Sequence, residues 1–552
     1  MEQDEINKKK EEISKFLENR EKFFIYAILA FGIILRLYYF FMTRDQPLWW
    51  DEADYMAYAK NLAGIDNFWS ISAQHESIYP YIAALFFKFS ISEPVIRFFL
   101  ALLPSLIVLF LTYKICMTVY ADKRIALIST FLMAVFWEFL FNSMRFQIEN
   151  LAMVFAFLSI YVFFKGYEKK EKFFKIGSKW ALPVVGFLVV LTYAIRRGFF
   201  IFGFFFLFYL LFTKNIKDLI KDKYNWIALI VVVLLIALSE FFVFTSPISE
   251  VAGTYHTQGA TFNLIPFQIF NVYFDDISNN INVLFYLFYL GAIIILANLL
   301  LAVGYFKKSE NDLKSDLFWI LTIVITLGYF LFYQMRIDNV GDPRWYYPLL
   351  LGSFVCISKS TLFIADFFKK YNRMLSILVV VVLVGYGGFY ELQHADMIIK
   401  QKLPSYQGIK DASLYIQEIS NPNDIIVSVP NSQPAYYAER QIAYPAYFLN
   451  KTSNSDTTFE EFMQKLQQNQ SVKYMIVTFS EPNHPDWMRH DEFVQDSNGQ
   501  LAYSKISIPF AQTAIDFTTG QQDIKPEVTY GNIKFRLLKV YEDAFVYEIV
   551  RA

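Results

Sequence analysis

The sequence predicts an α-helical polytopic membrane protein with a C-terminal α/β domain, on three observations. Of 552 residues, 55% are hydrophobic and 19% aromatic, and only 18% are charged; soluble chains usually carry about 25% charged residues. The apolar residues come in blocks of Phe, Leu, Ile and Val, many near the ~20 residues that cross a bilayer. After Glu391 the composition turns polar and mixed. A soluble globular enzyme and a disordered chain are both excluded. A formal net charge of -1 argues against a nucleic-acid partner. Cys116 and Cys356 both fall inside apolar runs, so no disulfide scaffold or cysteine metal cluster is implied.

Residues 1–22 form a charged amphipathic segment with Lys8, Lys9 and Lys10 and no signal-peptide h-region. The first span is expected over 23–42. Further spans are expected over 95–119, 125–143, 150–165, 180–195, 198–213, 225–245, 282–305, 316–333, 346–364 and 373–390. The run 78–91 is only about 14 residues long and reads as interfacial or re-entrant. Charge parity supports leaving it out. Lys and Arg collect on the cytoplasmic side, and without this crossing the cytoplasmic segments hold twenty-four against eight in the outer loops before residue 391. The eight are Arg44, Lys60, Lys88, Arg145, Arg196, Arg197, Arg336 and Arg344. About 11 spans result, with a cytoplasmic N-terminal segment 1–22, a transmembrane catalytic domain 23–391 and an extracytoplasmic domain 392–552. In that last domain 411–419 and 458–468 read as helices, 424–429 and 472–479 as strands, and 533–550 as a hairpin turning near Glu542 and Asp543.

Sorted by side, the outer loops are poor in lysine but hold Asp51, Glu52, Asp54, Glu76, Glu149 and the arginines above. Ionisable groups at span ends are costly unless paired, solvated or used. The densest cluster, Pro47-Leu-Trp-Trp-Asp51-Glu52-Ala-Asp54-Tyr55, follows the first span. One reading is a capped interfacial helix with Asp51 as N-cap; the other is a catalytic acid pair. Arg145 and Glu149 stand four apart and would share a face on one helix. Arg196 and Arg197 fill a short outer turn, where their counter-ion is a phosphate, a neighbouring carboxylate or a lipid headgroup. Arg344 precedes Tyr346 and Tyr347 at the outer start of a span, and His75 precedes the interfacial run. Arg36, inside the first span, either snorkels or pairs.

The stretch from Trp49 to Leu62, followed by His75 to Phe87, resembles the GT-C glycosyltransferases. The nearest group is the dolichyl-phosphate-mannose protein mannosyltransferases and the lipid A aminoarabinose transferases. Those enzymes carry an Asp-Glu pair in the first outer loop, here Asp51-Glu52, and then Lys or His with Pro-Pro-Leu-Tyr. This chain reads His75-Glu76-Ser77-Ile78-Tyr79-Pro80, without the paired prolines. The resemblance extends to Arg97, to Arg145 with Glu149, to Arg344-Trp-Tyr-Tyr-Pro348, and to Ala435-Tyr-Tyr-Ala-Glu-Arg440 of archaeal members.

The resemblance implies a GT-C-like bundle with juxtamembrane helices in the first outer loop. It also implies an inverting transfer of one sugar from a polyprenyl (dolichyl or undecaprenyl) phosphate to a hydroxyl on a protein, glycan or lipid acceptor. Such a donor carries its own leaving group, so the site needs a base and cations for the phosphate. Asp51 is the base expected, with Glu149 and Glu52 as further acids. Arg344, Arg196, Arg197, His75 and Arg145 are the phosphate contacts, with Tyr55, Tyr346 and Tyr347 in support. A divalent cation at the carboxylates is compatible, but no ligand spacing demands one. The implied location is the plasma membrane, among lipids. A secondary transporter or an oligosaccharyltransferase-like enzyme would share the bundle, but no broken midplane helices or repeat symmetry point to a transporter. The Trp49-Trp50-Asp51 tripeptide resembles one that oligosaccharyltransferases carry in their C-terminal domain, and here it lies in the first loop.

Overall fold

The computed structural model describes residues 21–65, 68–72, 75–244, 264–274, 282–302, 311–332, 342–479, 481–495 and 501–551. Residues 1–20 of the N-terminal segment, and Arg336, lie outside this set. The chain divides into two compact units. A helical unit comprises Met1–Arg44, Glu76–Tyr79 and Glu93–Lys402; a sheet-bearing unit comprises Asp45–His75, Pro80–Ser92 and Leu403–Ala552.

Among the described residues, nine helices are long and apolar enough to cross a membrane. They are Phe23–Thr43, Glu93–Tyr120, Ile148–Glu168, Ser178–Ile195, Lys223–Phe242, Val283–Leu301, Asp312–Leu331, Pro343–Lys369 and Arg373–Ile419. The chain is a multi-pass membrane protein. Apolar side chains here need not face inward, because lipid tails solvate them as well as protein does. Pro343–Lys369 is accordingly 83% buried over its apolar window, while Lys223–Phe242 has no buried residue. Close approach is made by small residues: a Cβ on Gly291 would stand 1.9 Å from the carbonyl oxygen of Cys356 on the neighbouring helix.

The other two expected spans fall short of crossing length. The run 198–213 is the shorter apolar helix Arg197–Thr213. The span expected over 125–143 is two helices, Lys123–Val135 and Trp137–Asn142, broken at Phe136 (φ -58°, ψ 119°). A break inside apolar surroundings leaves carbonyls and amides without partners. Arg36 supplies the donors. It is 0% exposed and donates from Nη1 to the Ala134 carbonyl (3.0 Å) and from Nη2 to that of Met133 (3.1 Å). On the other side of the break the Trp137 amide donates to Glu391 Oε2 (3.4 Å), whose Oε1 accepts from Asn282 Nδ2 (3.0 Å). Arg36 therefore pairs with backbone carbonyls in the protein interior. The run 78–91 holds the ten-residue helix Tyr79–Lys88, below crossing length.

The sheet-bearing unit follows the sequence closely. Strands β1 (Ile425–Ser428), β2 (Gln441–Ala443) and β3 (Val472–Thr478) run parallel, with β1 between the other two. A smaller antiparallel sheet holds β4 (His490–Gln495), β5 (Leu501–Ile508), β6 (Thr513–Asp516) and β7 (Gln522–Asp523). The strands β8 (Glu527–Tyr530), β9 (Ile533–Val540) and β10 (Ala544–Arg551) complete the first sheet in the order β2-β1-β3-β10-β9-β8. The β9–β10 hairpin turns over 541–543, as expected. Alternation sorts the central strands onto two faces. Val427, Met475, Val477, Phe545 and Tyr547 enter one apolar cluster, and Ile426, Tyr474, Ile476, Ala544 and Val546 the other. Helix Phe459–Gln468 covers the first face with Phe462 and Leu466. It opens on a capping box in which the Glu461 amide donates to Thr458 Oγ1 and the Thr458 amide to Glu461 Oε2, each at 3.3 Å. Helix Gln407–Ile419 covers the second face with Ala412 and Ile416.

Replacing Arg36 by Met is expected to strip donors from two buried carbonyls at a cost of about 1–3 kcal/mol each. A lower thermal midpoint in detergent checks this, with Arg36→Lys falling between because its point charge lacks the guanidinium fork.

Candidate active site

The expected site residues divide between the two units. Asp51, Glu52, Tyr55 and His75 belong to the sheet-bearing unit; Arg145, Glu149, Arg196, Arg197, Arg344, Tyr346 and Tyr347 belong to the helical unit.

In the sheet-bearing unit, helix Trp50–Leu62 carries Asp51 and Glu52 in its first turn, where the helix dipole favours negative charge. Trp49, rather than Asp51, occupies the N-cap position, with no side-chain capping bond. The far end of the helix is anchored by Lys60, which donates to the Tyr436 carbonyl (2.8 Å) and to Glu439 Oε1 (2.7 Å), over the Tyr436 ring. Near its start, the Leu48 amide donates to the Tyr437 hydroxyl (2.9 Å). The segment 430–440 thereby holds the acidic helix.

Asp51 and Asp54 stand three apart and share a helix face. His75 lies between their carboxylates: Nδ1 is 2.5 Å from Asp54 Oδ2, and Nε2 is 3.4 Å from Asp51 Oδ1. Asp54 also accepts from Trp69 Nε1 (2.7 Å) and Ser72 Oγ (3.4 Å). It is a fixed orienting group, 6% exposed, whereas the Asp51 side chain keeps 30% of its surface open. The Tyr55 ring meets the His75 ring edge-on at 5.5 Å. Glu52 is buried at 1% exposure on another helix face. Asp51, Asp54 and His75 open onto a cavity of about 780 Å³, whose wall also includes Trp50, Gln433 and Glu481. Sequence reading passed over Asp54 as a partner, although its three-residue spacing from Asp51 was visible. Gln433 and Glu481 carried no local signal.

In the helical unit Arg196, Arg197 and Arg344 are met by carboxylates. Glu149 sits in the first turn of helix Ile148–Val162, and its Oε1 lies 3.3 Å from Arg196 Nε. Glu149 Oε2 has no hydrogen-bond partner. Arg145 lies in the turn before that helix, so the helical face expected to join it to Glu149 does not exist. Its guanidinium lies over the Phe141 ring at 5.1 Å. Arg197 stands 3.1 Å from Glu240 Oε2 and 3.8 Å from Glu76 Oε2, with its guanidinium over the Phe244 ring at 3.7 Å. The segment carrying Glu76 docks there through Ser77 Oγ, which donates to the Ile195 carbonyl (2.6 Å), and the Ile78 amide, which donates to that of Ala194 (2.9 Å).

Arg344 is held by Asp342, whose carboxylate also caps the 3₁₀ turn Pro343–Leu349 through the Arg344 amide (3.0 Å), and by Gln147. Tyr346 packs against Phe330 at 4.3 Å and Tyr347 against Phe139 at 5.7 Å, both in the core. Glu138, a buried acid that sequence reading missed inside an apolar run, accepts from Asn142 Nδ2 (2.8 Å) and lies within electrostatic reach of Asp342, Arg344 and Arg145. Among the described residues, no group of three or more His, Cys, Asp or Glu side chains is arranged to hold a metal ion.

The sequence profile of the family described as dolichyl-phosphate-mannose-protein mannosyltransferase matches residues 74–240. No curated sequence matches the chain significantly. AglB and ArnT are among the solved proteins that share its fold. The oligosaccharyltransferase AglB of Archaeoglobus fulgidus, in complex with an inhibitory peptide and a dolichol-phosphate, is 13% identical with a TM-score of 0.54, covering 88% of this chain and 74% of its own. ArnT of Cupriavidus metallidurans in the apo state is 10% identical with a TM-score of 0.55, covering 82% of this chain and 93% of its own. ArnT bound to undecaprenyl phosphate aligns over the same shares at a TM-score of 0.52. The chain has the GT-C fold.

Exchanging Arg197 for Met is expected to leave Glu76 and Glu240 without their shared cation. Breaking a buried pair from one side costs about 3–5 kcal/mol. A depressed thermal midpoint, partly restored by the double change Arg197→Met with Glu240→Gln, checks the pairing.

Proposed function

We propose that this GT-C chain is an inverting glycosyltransferase that moves one sugar from a polyprenyl phosphate to a hydroxyl acceptor at the outer face of the plasma membrane. The N-terminus is then cytoplasmic and the sheet-bearing unit extracytoplasmic. One observation carries the reading: a partly open carboxylate, Asp51, on a cavity wall, braced by an imidazole that a second, buried carboxylate orients. The family match, and the dolichol-phosphate and undecaprenyl phosphate in the AglB and ArnT complexes, support the choice of donor.

The chemistry follows from the groups present. Asp51 takes the proton of the acceptor hydroxyl as its oxygen bonds to the anomeric carbon. The bond from that carbon to the phosphate oxygen breaks, and its electron pair leaves with the polyprenyl phosphate. A single displacement inverts the anomeric configuration. The charge that develops on the phosphate is the kind a guanidinium fork binds well, and Arg344, Arg196, Arg197 and Arg145 are the groups assigned to it. Glu149 positions Arg196, and Asp342 with Gln147 positions Arg344. His75 and Asp54 hold Asp51; Glu52 and Tyr55 are assigned to its support, and Tyr346 and Tyr347 to that of the arginines. This bundle has no need of a general acid, because the donor brings its own leaving group.

In a transfer assay with a panel of polyprenyl-phosphate monosaccharides, Asp51→Asn is expected to keep the fold and lower turnover by at least about 100-fold. Asp54→Asn is expected to lower it by about 10–100-fold through loss of alignment. Near-normal turnover by Asp51→Asn would sink the assignment. Arg344→Ala is expected to raise the KM for the donor about tenfold or more with a smaller change for the acceptor. Equal changes for both substrates would point to a structural arginine.

A further inference from the structure

The cavity of the sheet-bearing unit has a composition that the transfer chemistry alone does not require. Three aromatic side chains on its wall are well exposed: Trp50 at 51%, Phe68 at 60% and Tyr447 at 70%. Between them lie neutral amides, among them Asn431, Gln433 and Asn483. No Lys or Arg is among the described residues that line it. Two wall residues are nearly sealed and carry a polar atom with no hydrogen-bond partner among the described residues. Gln433 is 2% exposed and its Nε2 is unmatched; Glu481 is 5% exposed and its Oε1 is unmatched. Buried polar atoms are ordinarily paired, and an unpaired one is expensive. Two in one wall mark places where a ligand completes the bonding.

Flat apolar faces beside neutral donors and acceptors suit a sugar ring, which offers C–H faces to aromatics and hydroxyls to amides. An anionic ligand would meet Asp51 and Asp54 with no Lys or Arg on the wall to balance it. A peptide would use a sheet edge, but the edge strand β2, whose residues line the cavity, is three residues long and too short a template. We infer that this cavity receives a neutral glycan as the acceptor, laying a sugar ring against Trp50 and Tyr447 and binding its hydroxyls through Gln433 Nε2 and the Glu481 carboxyl. The inference rests on the proposed transfer reaction and assigns its acceptor.

Burial pushes the Glu481 carboxyl up to about 8, against the opposing influence of Tyr406 and Arg489. The acid thus stays protonated at neutral pH and can donate to a sugar oxygen. His484 beside it is kept neutral, burial lowering it to about 3. Asp51, Asp54, His75, Tyr444 and Tyr447 are the other titratable groups on the wall.

The test uses the full chain in nanodiscs, without donor. Binding is read by tryptophan fluorescence against neutral oligosaccharides of glucose, galactose, mannose and N-acetylglucosamine, a sialylated trisaccharide and a Ser/Thr-rich peptide. A neutral oligosaccharide should bind. Tyr447→Ala, at a position 70% exposed, should weaken it tenfold or more at an unchanged thermal midpoint, and Gln433→Ala should weaken it tenfold or more. Glu481→Gln, which keeps a donor, should bind within threefold of the parent, and Glu481→Ala should lose tenfold. Raising the pH from 7 to 9 should weaken the parent and leave Glu481→Gln unchanged. Binding of no neutral oligosaccharide, or binding indifferent to Tyr447→Ala and Gln433→Ala, overturns the inference, as does preference for the peptide or the sialylated probe. A glycan that binds but is never glycosylated overturns the transferase reading alone. Transfer to a peptide or lipid at parental rates in Tyr447→Ala and Gln433→Ala overturns only the acceptor.

Discussion

Within lipid, a backbone amide or carbonyl has no water to fall back on, and this requirement governs the helical unit. A continuous helix meets it without help. The break at Phe136 does not, and the structure assigns two charged side chains from distant parts of the sequence to close it. Arg36, from the first span, covers the carbonyls of Met133 and Ala134; Glu391 receives the Trp137 amide. The break starts a new short helix, and with it come Glu138, Asn142 and the turn that ends at Gln147. Glu138, Arg145, Gln147 and Glu149, the groups in the neighbourhood of Arg344 and Arg196, therefore sit where they do because an otherwise forbidden irregularity was made affordable by one arginine and one glutamate.

What was legible in the sequence follows from how local each signal was. Apolar blocks report a span with little help from the rest of the chain, and nine of the eleven expected spans are crossing-length helices. Strands β1 and β3, the β9–β10 hairpin and helix Phe459–Gln468 were legible for the same reason, each being written in one short run of neighbouring residues. The break at Phe136 went unread although Glu138 and Asn142 interrupt the apolar run just past it. Arg36 was a further trace, a charge that had to have a use, and the use lay about a hundred residues away.

The site was read by the same rule. Asp51 stood out because two Trp and two further acids surround it. Asp54 was in plain view, but its role depends on where His75 returns, which no spacing encodes. Arg145 and Glu149 were grouped by helical arithmetic that fails because the helix begins at Ile148. Arg196 and Arg197 left a choice of counter-ions, and the structure places Glu149, Glu76 and Glu240 against them. Gln433 and Glu481 are ordinary polar residues in sequence; only burial without a partner distinguishes them.

The arrangement of Asp51, His75 and Asp54 also bears on how a carboxylate can serve as a base. Two acids three apart on one helix face repel each other. An imidazole between them changes this. Asp54, with Trp69 and Ser72 as further donors, is best matched by an Nδ1–H of His75, and that bond leaves Nε2 to face Asp51. If the imidazole is neutral, Nε2 offers a lone pair; if it is charged, Nε2 offers a proton. On the proposed chemistry, the proton that Asp51 removes from an acceptor hydroxyl thus has a second resting place 3.4 Å away, stabilised by the buried carboxylate behind it. The base need not hold the proton alone while the new glycosidic bond forms. On that proposed chemistry Asp54 serves the reaction although its own carboxylate is sealed away from solvent.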